Sequence, residues 1–169
     1  MEKINKKKSC AILIIGNEIL SGRTKDQNVS FLASWLNSNL GIKIEEVRIV
    51  PDLEKEIIKS ILDLSKNFNY VITTGGIGPT HDDITSKSIA KAFGRKYKYN
   101  PEALNILKKY YGNQFNDPRK KMAKMPENSK LIYNPSSAAP GFITKNVICL
   151  PGVPLILKSM VHNLKKYLK

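Results

Sequence analysis

The sequence predicts an α/β protein, a three-layer αβα sandwich built on a mostly parallel central sheet. Three observations carry that expectation. Short apolar runs alternate along the chain with longer stretches whose apolar residues recur every three or four positions. The apolar runs are continuous, as in strands covered on both faces. One of them ends in a glycine-rich turn that leads straight into a helical pattern, the arrangement of a strand–turn–helix unit.

Residues 10 to 15 (Cys-Ala-Ile-Leu-Ile-Ile) form the first run and stop at Gly16. Val29, Leu32, Leu36 and Leu40 then recur at helical spacing, with Gly41 as the stop. Ile42, Ile44, Val47 and Ile49 suggest a second strand. Asp52 stands where a cap would open a helix carrying Leu53, Ile57, Ile61 and Leu64 on one face. Tyr70 to Thr74 is the third strand, followed by a short helix over 85–93 that closes at Gly94. Asn100-Pro101 opens the next helix, Asn as cap and Pro in the first turn, which ends at Gly112. Residues 113 to 128 read as basic and partly helical up to Pro126. Leu131–Tyr133 and Val147–Leu150 read as strands, and Pro154 starts an amphipathic helix running close to Lys169. No repeat or low-complexity linker interrupts the pattern. A single domain over 1–169 follows, with 1–8 as a flexible lead.

With 41% apolar residues spread over 169 positions, the chain can bury a substantial core without disulfides or metals as staples. The apolar runs are far too short to span a bilayer, so no membrane association is expected. The basic start (Lys3, Lys6, Lys7, Lys8) is followed by only about six apolar residues, less than a signal peptide requires. A cytoplasmic location is therefore expected, with Cys10 and Cys149 as small buried thiols.

The net charge of +14 raises the question of nucleic acid. Two features argue against it. The chain is rich in Lys, Asn and Ile together, a bias that AT-rich coding DNA produces regardless of function. No basic strand rich in aromatic residues, of the kind that stacks bases, is evident. The basic residues are densest over 95–124 (Arg95, Lys96, Lys98, Lys108, Lys109, Arg119, Lys120, Lys121, Lys124). That region is either a solvated surface or an attractor for an anionic substrate.

The stretch Thr73 to Thr85 carries the most chemical information. It lies beyond the carboxyl end of a central strand and before a helix, where open α/β sheets bind ligands. Gly75, Gly76 and Gly78 allow close approach of the backbone and aim successive N–H groups at an anion, with Thr74, Pro79 and Thr80 completing the loop. Asp82 and Asp83 beside such a cradle would repel a bare phosphate unless a divalent metal (Mg, Mn or Co) lies between them. The alternative for Asp83 is a helix cap, and for His81 a plain loop residue rather than one orienting a phosphate or a water. Glu18 and Asp26, beyond the first strand, share that sheet edge. They are either surface acids or further ligands for a metal, ribose or pterin. Asn134, Ser136 and Ser137 are short hydrogen-bonding side chains on another strand-end loop. Pro151-Gly152-Val153-Pro154 sets a helix start that either faces a ligand or serves only as a turn.

The run Gly75 to Thr85 resembles the Gly-Gly-x-Gly-Pro-Thr-x-Asp-Asp-x-Thr element of the competence/damage-inducible protein A (CinA-like) family. That family lies within the wider molybdopterin-binding (MoaB/Mog-like) group of molybdenum cofactor biosynthesis proteins. Gly16-Asn17-Glu18-Ile19-Leu20-Ser21-Gly22 with Asp26 and Asn28, Asn134-Pro135 with Ala139 to Phe142, and Leu150 to Pro154 agree in order and spacing. The resemblance spans nearly the whole chain.

The resemblance implies a molybdopterin-binding-domain fold and a homo-oligomer. It also implies a nucleotide or pterin ligand held by Gly16, Asn17, Glu18, Asp26, Thr74, Gly75, Gly76, Gly78, Pro79, Thr80, Asn134, Ser136, Ser137 and Gly152. Molybdopterin adenylyltransferases of the group typically have Arg-Asp where this chain has Asp82-Asp83, which removes a bidentate phosphate clamp. CinA-like domains resemble metal-dependent pyrophosphatases acting on ADP-ribose or FAD. The expected activity is therefore diphosphate hydrolysis, with Asp82 and Asp83 as metal ligands and, with His81, the catalytic group. Molybdopterin binding with adenylyl transfer, and a non-catalytic nucleotide- or pterin-binding module, are the alternatives. Ser136-Ser137-Ala138 stands where many relatives have a glycine, which alters the shape expected of that loop.

Overall fold

Strand geometry sends successive side chains to opposite faces, and in β1 (Ser9–Ile15) both faces are apolar and buried. Ala11, Leu13 and Ile15 pack with Ile57, Ile61 and Leu64 on one side. Cys10, Ile12 and Ile14 pack with Leu32, Leu36 and Leu157 on the other. The continuous run is thus explained by two cores, one on each face of the sheet. The computed structural model describes residues 8–168, so most of the 1–8 lead lies outside the described residues.

In chain order β1 is followed by α1 (Asn17–Leu20), α2 (Asn28–Leu40), β2 (Lys43–Val50), α3 (Glu54–Asn67), β3 (Tyr70–Thr74) and α4 (Thr85–Ala92). An excursion then runs through β4 (Tyr97–Tyr99), α5 (Pro101–Tyr111), α6 (Asp117–Lys121) and β5 (Lys124–Pro126). The chain returns through β6 (Lys130–Ile132), β7 (Gly141–Thr144) and β8 (Val147–Leu150) to α7 (Pro154–Met160). The main sheet has the order β2-β1-β3-β8-β7-β6. Its first four strands are parallel, and β7 alone runs against its neighbours β8 and β6. Helices α2 and α7 cover one face while α3, α4 and α5 contribute to the core on the other. This is the αβα sandwich with a mostly parallel sheet that the pattern predicts.

Several details depart from the sequence reading. Residues 113–128 are partly helical as expected, with the end of a 3₁₀ turn over Gly112–Gln114 and the five-residue α6, but Lys124–Pro126 pairs with Tyr97–Tyr99 as a separate antiparallel ribbon. Strand β7 was not foreseen because Gly-Phe-Ile-Thr is four residues long and reaches β8 through the tight turn Lys145-Asn146. The terminal α-helix stops at Met160 and continues as a 3₁₀ turn over Val161–Leu164. Asp52 does not cap α3. That helix has Leu53 at its N-cap, and the Asp52 carboxylate accepts the Asn17 N–H at 2.9 Å. Asn100, by contrast, accepts the Ala103 N–H at 3.0 Å as a cap should.

Burial pushes the thiols of Cys10 and Cys149 up to about 12, in keeping with small core side chains and not with nucleophiles. The basic excursion packs its cations on rings. Lys124 Nζ lies 5.6 Å and 4.7 Å from the ring centroids of Tyr97 and Tyr99, and Lys120 Nζ lies 5.0 Å from Tyr99. Such contacts are worth about 0.5–1 kcal/mol at exposed positions. None of the described helices is long and apolar enough to cross a membrane.

Candidate functional site

The chain leaves β1 to build β2 on one side and returns to place β3 on the other. This makes a switch point at the carboxyl ends of β1 and β3, where diverging loops open a crevice. The loops after β1, β3 and β8 meet there. Gly75 N–H donates to Leu150 carbonyl oxygen at 3.2 Å, and Gly16 N–H donates to Val50 carbonyl oxygen at 3.2 Å. Asn28 Nδ2 donates to the Gly152 carbonyl at 2.9 Å, and the Gly152 backbone packs on Gly75. A cleft of about 720 Å³ opens above this junction, a volume in the range of small-molecule sites.

The floor of the cleft is Gly75 to Gly78. The glycines serve a purpose the sequence reading did not anticipate. Gly75 has φ +96°, and a Cβ there would sit 2.2 Å from the Ile15 carbonyl oxygen. A Cβ on Gly76, at φ +69°, would sit 2.0 Å from Thr85 Oγ1, and one on Gly78 would sit 2.7 Å from Asp83 Oδ2. The missing side chains thus make room for the chain's own atoms, which bend the loop into its shape. What the bend presents to the cleft is main chain. Among the described residues, no protein acceptor takes the N–H groups of Gly76, Ile77 or Gly78. Consecutive unpaired amides of this kind form an anion-binding concavity.

The acids lie along one rim. Asp83 Oδ2 accepts the Thr80 N–H at 2.9 Å and the Thr80 hydroxyl at 2.5 Å, so it folds back over the loop and does not cap α4. Asp82 Oδ1 is also 2.5 Å from the Thr80 hydroxyl, and that bond holds the Asp82 carboxyl below its ordinary range. Glu18 packs over Gly16 and lines the cleft. Asp52 stands nearby. Burial, and then the charges of Glu18, Asp82 and Asp83, raise its carboxyl above the usual value against the lowering effect of the Asn17 N–H. Lys121 reaches the loop from α6, its ammonium donating to the Thr80 carbonyl.

Not every expected site residue meets the cleft. Glu18, Gly75, Gly76, Gly78, Pro79, Asp83, Asn134, Ser137 and Gly152 line it. Thr74 and Asp26 line a small adjoining hollow of about 60 Å³. Asp26 Oδ2 there accepts the Val29 N–H at 2.9 Å and so holds the first turn of α2. Gly16, Asn17, Thr80, His81, Asp82 and Ser136 are not among the lining residues. Asn17 is occupied with Asp52, His81 is exposed, and Ser136 gives its N–H to Asn134 Oδ1 at 2.9 Å. Asn134 uses both ends of its amide to shape its own loop, accepting from Ser136 and Ser137 and donating to Ser137 Oγ and the Ala139 carbonyl. That loop bends without glycine, as Ala138 takes φ +61°.

Sequence reasoning missed other residues of the lining. Tyr111 from α5 and Arg119 and Met122 from the α6 region line the cleft with Val153 and Ile156. Arg119 Cζ lies 4.5 Å from the Tyr111 ring centroid, and its guanidinium donates to the Gln114 carbonyl. The density of basic residues over 95–124 was the only available signal, and it did not single out Arg119.

An open α/β sheet whose strand order reverses beside a roomy cleft places the chain in the doubly wound class, in which small ligands bind at that sheet edge. More particularly, the chain belongs to the family described as a probable molybdopterin binding domain, whose model matches residues 11–169. It is similar to the structure of the protein CinA with unknown function from Thermoplasma acidophilum. Identity there is 33%, over 95% of this chain and 99% of that one, with a TM-score of 0.88. Two further solved structures share the fold at low identity. The tungsten cofactor synthesizing protein MoaB from Pyrococcus furiosus is 19% identical with a TM-score of 0.61, over 95% of this chain and 92% of that one. The molybdopterin biosynthesis Mog protein from Mycobacterium ulcerans is 16% identical with a TM-score of 0.58, over 94% and 93%. A protein from Pyrobaculum arsenaticum is 38% identical over 159 residues, 90% of this chain. The chain spans about 60% of the length of that relative and of one from Archaeoglobus fulgidus that it matches at 38% identity.

Proposed function

We propose that the domain binds a phosphate-bearing pterin or nucleotide in this cleft, with a phosphate on the amides of Gly76, Ile77 and Gly78. The observation that carries this reading is the set of three consecutive N–H groups, without a protein acceptor among the described residues, in the lining of a 720 Å³ cleft. A phosphate oxygen is the acceptor such a concavity fits. Family membership favours a pterin, and the molybdopterin biosynthesis Mog protein shares the fold. Self-association and a cytoplasmic location belong to the same reading.

Metal-dependent hydrolysis of a diphosphate such as ADP-ribose or FAD is the second reading, and one contact favours it. The Thr80 hydroxyl lies 2.5 Å from both Asp82 Oδ1 and Asp83 Oδ2, yet its single proton serves one carboxylate at a time. The pair therefore keeps acceptor capacity that suits a divalent cation. Among the described residues no group of three or more His, Cys, Asp or Glu could hold a metal. Two carboxylates fit the habit of Mg²⁺, which keeps several waters and takes the rest of its shell from substrate phosphate. When bound, such an ion would neutralise phosphate charge and act as a Lewis acid at phosphorus. Asp82 and Asp83 would hold it while the loop amides hold the phosphate.

Thermal shift separates the readings. A phosphorylated pterin, ADP-ribose and FAD are each added with EDTA or with Mg²⁺, Mn²⁺ or Co²⁺. A ligand at about 100 times its Kd stabilises the fold by about 2.7 kcal/mol. Stabilisation by the pterin in EDTA is the expected result for a binding domain. Stabilisation by ADP-ribose or FAD only with metal, accompanied by release of a monophosphate, supports hydrolysis. No stabilisation by any of them under either condition removes both.

A further inference from the structure

The cleft is lined by both acids and a cation. Among the described residues that line it, Glu18 and Asp83 are acidic and Arg119 is the one cation. Arg119 is not free to swing. Its guanidinium lies 4.5 Å from the Tyr111 ring centroid and Nη1 donates to the Gln114 carbonyl, while the main-chain N–H of Arg119 donates to Asn116 Oδ1 at 3.1 Å and fixes the backbone that carries the side chain. Nη2 and Nε keep N–H donors, and a guanidinium prefers two oxygens of one phosphate or carboxylate. A cleft of 720 Å³ also exceeds what one phosphate on the loop would fill.

We infer that Arg119, held against Tyr111, is a second anion subsite of this cleft, so that the domain selects ligands bearing two phosphoryl groups over those bearing one. The inference rests on the reading of the glycine loop as the first subsite and adds the residue that discriminates. A loop that offers only neutral amides beside Glu18 and Asp83 gains little from a second negative charge. A guanidinium held in the same cleft reverses that balance. A charge-assisted hydrogen bond contributes about 1.5–3 kcal/mol, which corresponds to a preference of at least about ten-fold.

The test uses orthophosphate and pyrophosphate, which carry no ring and so leave aside which heterocycle the cleft takes. Binding is measured by calorimetry or amide shifts at fixed ionic strength in EDTA, for the wild-type chain, Arg119→Met, Arg119→Lys and the surface control Lys124→Met. Thermal unfolding verifies that each variant is folded. The wild type is expected to bind pyrophosphate at least about ten-fold more tightly than orthophosphate. Arg119→Met should abolish that preference, pyrophosphate losing at least about ten-fold more affinity than orthophosphate. Arg119→Lys, which keeps the charge without the fork, should fall between, and Lys124→Met should match the wild type. A preference that survives in Arg119→Met, or is lost equally in Lys124→Met, overturns the inference alone. Equal loss of both anions in Arg119→Met also overturns it, since Arg119 would then be only a structural prop. Failure of the wild type to bind orthophosphate at all overturns the loop reading beneath it.

Discussion

Gly75→Ala is expected to lower the thermal midpoint by roughly 6–12 °C and to abolish ligand binding in the cleft. The methyl group would arrive 2.2 Å from the Ile15 carbonyl oxygen at a φ of +96°, which L side chains rarely adopt. Backbone strain of this kind costs about 1–3 kcal/mol, and the clash with a main-chain atom, which cannot rotate away, adds to it. For a chain of this size about 3 kcal/mol corresponds to that shift. The loop can relieve the overlap only by moving away from β1, which carries the amides of Gly76 to Gly78 out of register. Differential scanning calorimetry and a ligand titration on the same sample check both parts. A variant with an unchanged midpoint would mean the loop does not pack on Ile15 as described. At Gly22, where a Cβ would meet nothing within 4 Å, substitution to Ala should cost only the smaller backbone term.

On the hydrolysis reading, Asp83→Asn is expected to reduce metal-dependent diphosphate turnover by at least about 100-fold, while binding of the metal-free ligand changes little. Outer-shell partners of metal ligands typically contribute about 10–100-fold, so a ligand itself should contribute no less. Asparagine keeps an oxygen to accept the Thr80 N–H and fills the same space above Gly78, so the loop shape survives. Loss of the charge alone is then tested. Steady-state hydrolysis of ADP-ribose and FAD with Mg²⁺, Mn²⁺ or Co²⁺ provides the measurement. Equal turnover in wild type and variant removes Asp83 from the chemistry and leaves the binding-domain reading standing.

Much of this architecture was legible in the residues because its signals are local. The buried runs 10–15, 70–74 and 147–150, the cap Asn100 and the stops Gly41, Gly94 and Gly112 act within a few positions. The glycine loop was legible as a candidate site for the same reason, since strand, turn and helix start are contiguous. Its detailed role was not. Whether a glycine faces a ligand or the chain's own atoms depends on Ile15, Thr85 and Asp83, which approach only after folding. Asp52 illustrates the same limit. Its spacing before α3 fits a cap, but Asn17, 35 positions earlier, supplies a better donor. Arg119 and Tyr111 enter the cleft from an excursion whose short elements, three to eleven residues long, carry weak periodicity. The Tyr97-Lys98-Tyr99 strand escaped notice for that reason, and its rings are covered by Lys120 and Lys124.

Amide chemical-shift mapping in the metal-free protein, during titration with a phosphorylated pterin or with orthophosphate, tests the central assignment most directly. Saturable shifts are expected, centred on the N–H groups of Gly76, Ile77 and Gly78, with smaller changes at Gly152, which packs on Gly75, and at Ser137 in the cleft lining. Shifts confined to the lysines of the Tyr97–Tyr99 ribbon, or an unperturbed glycine loop at saturation, would contradict it.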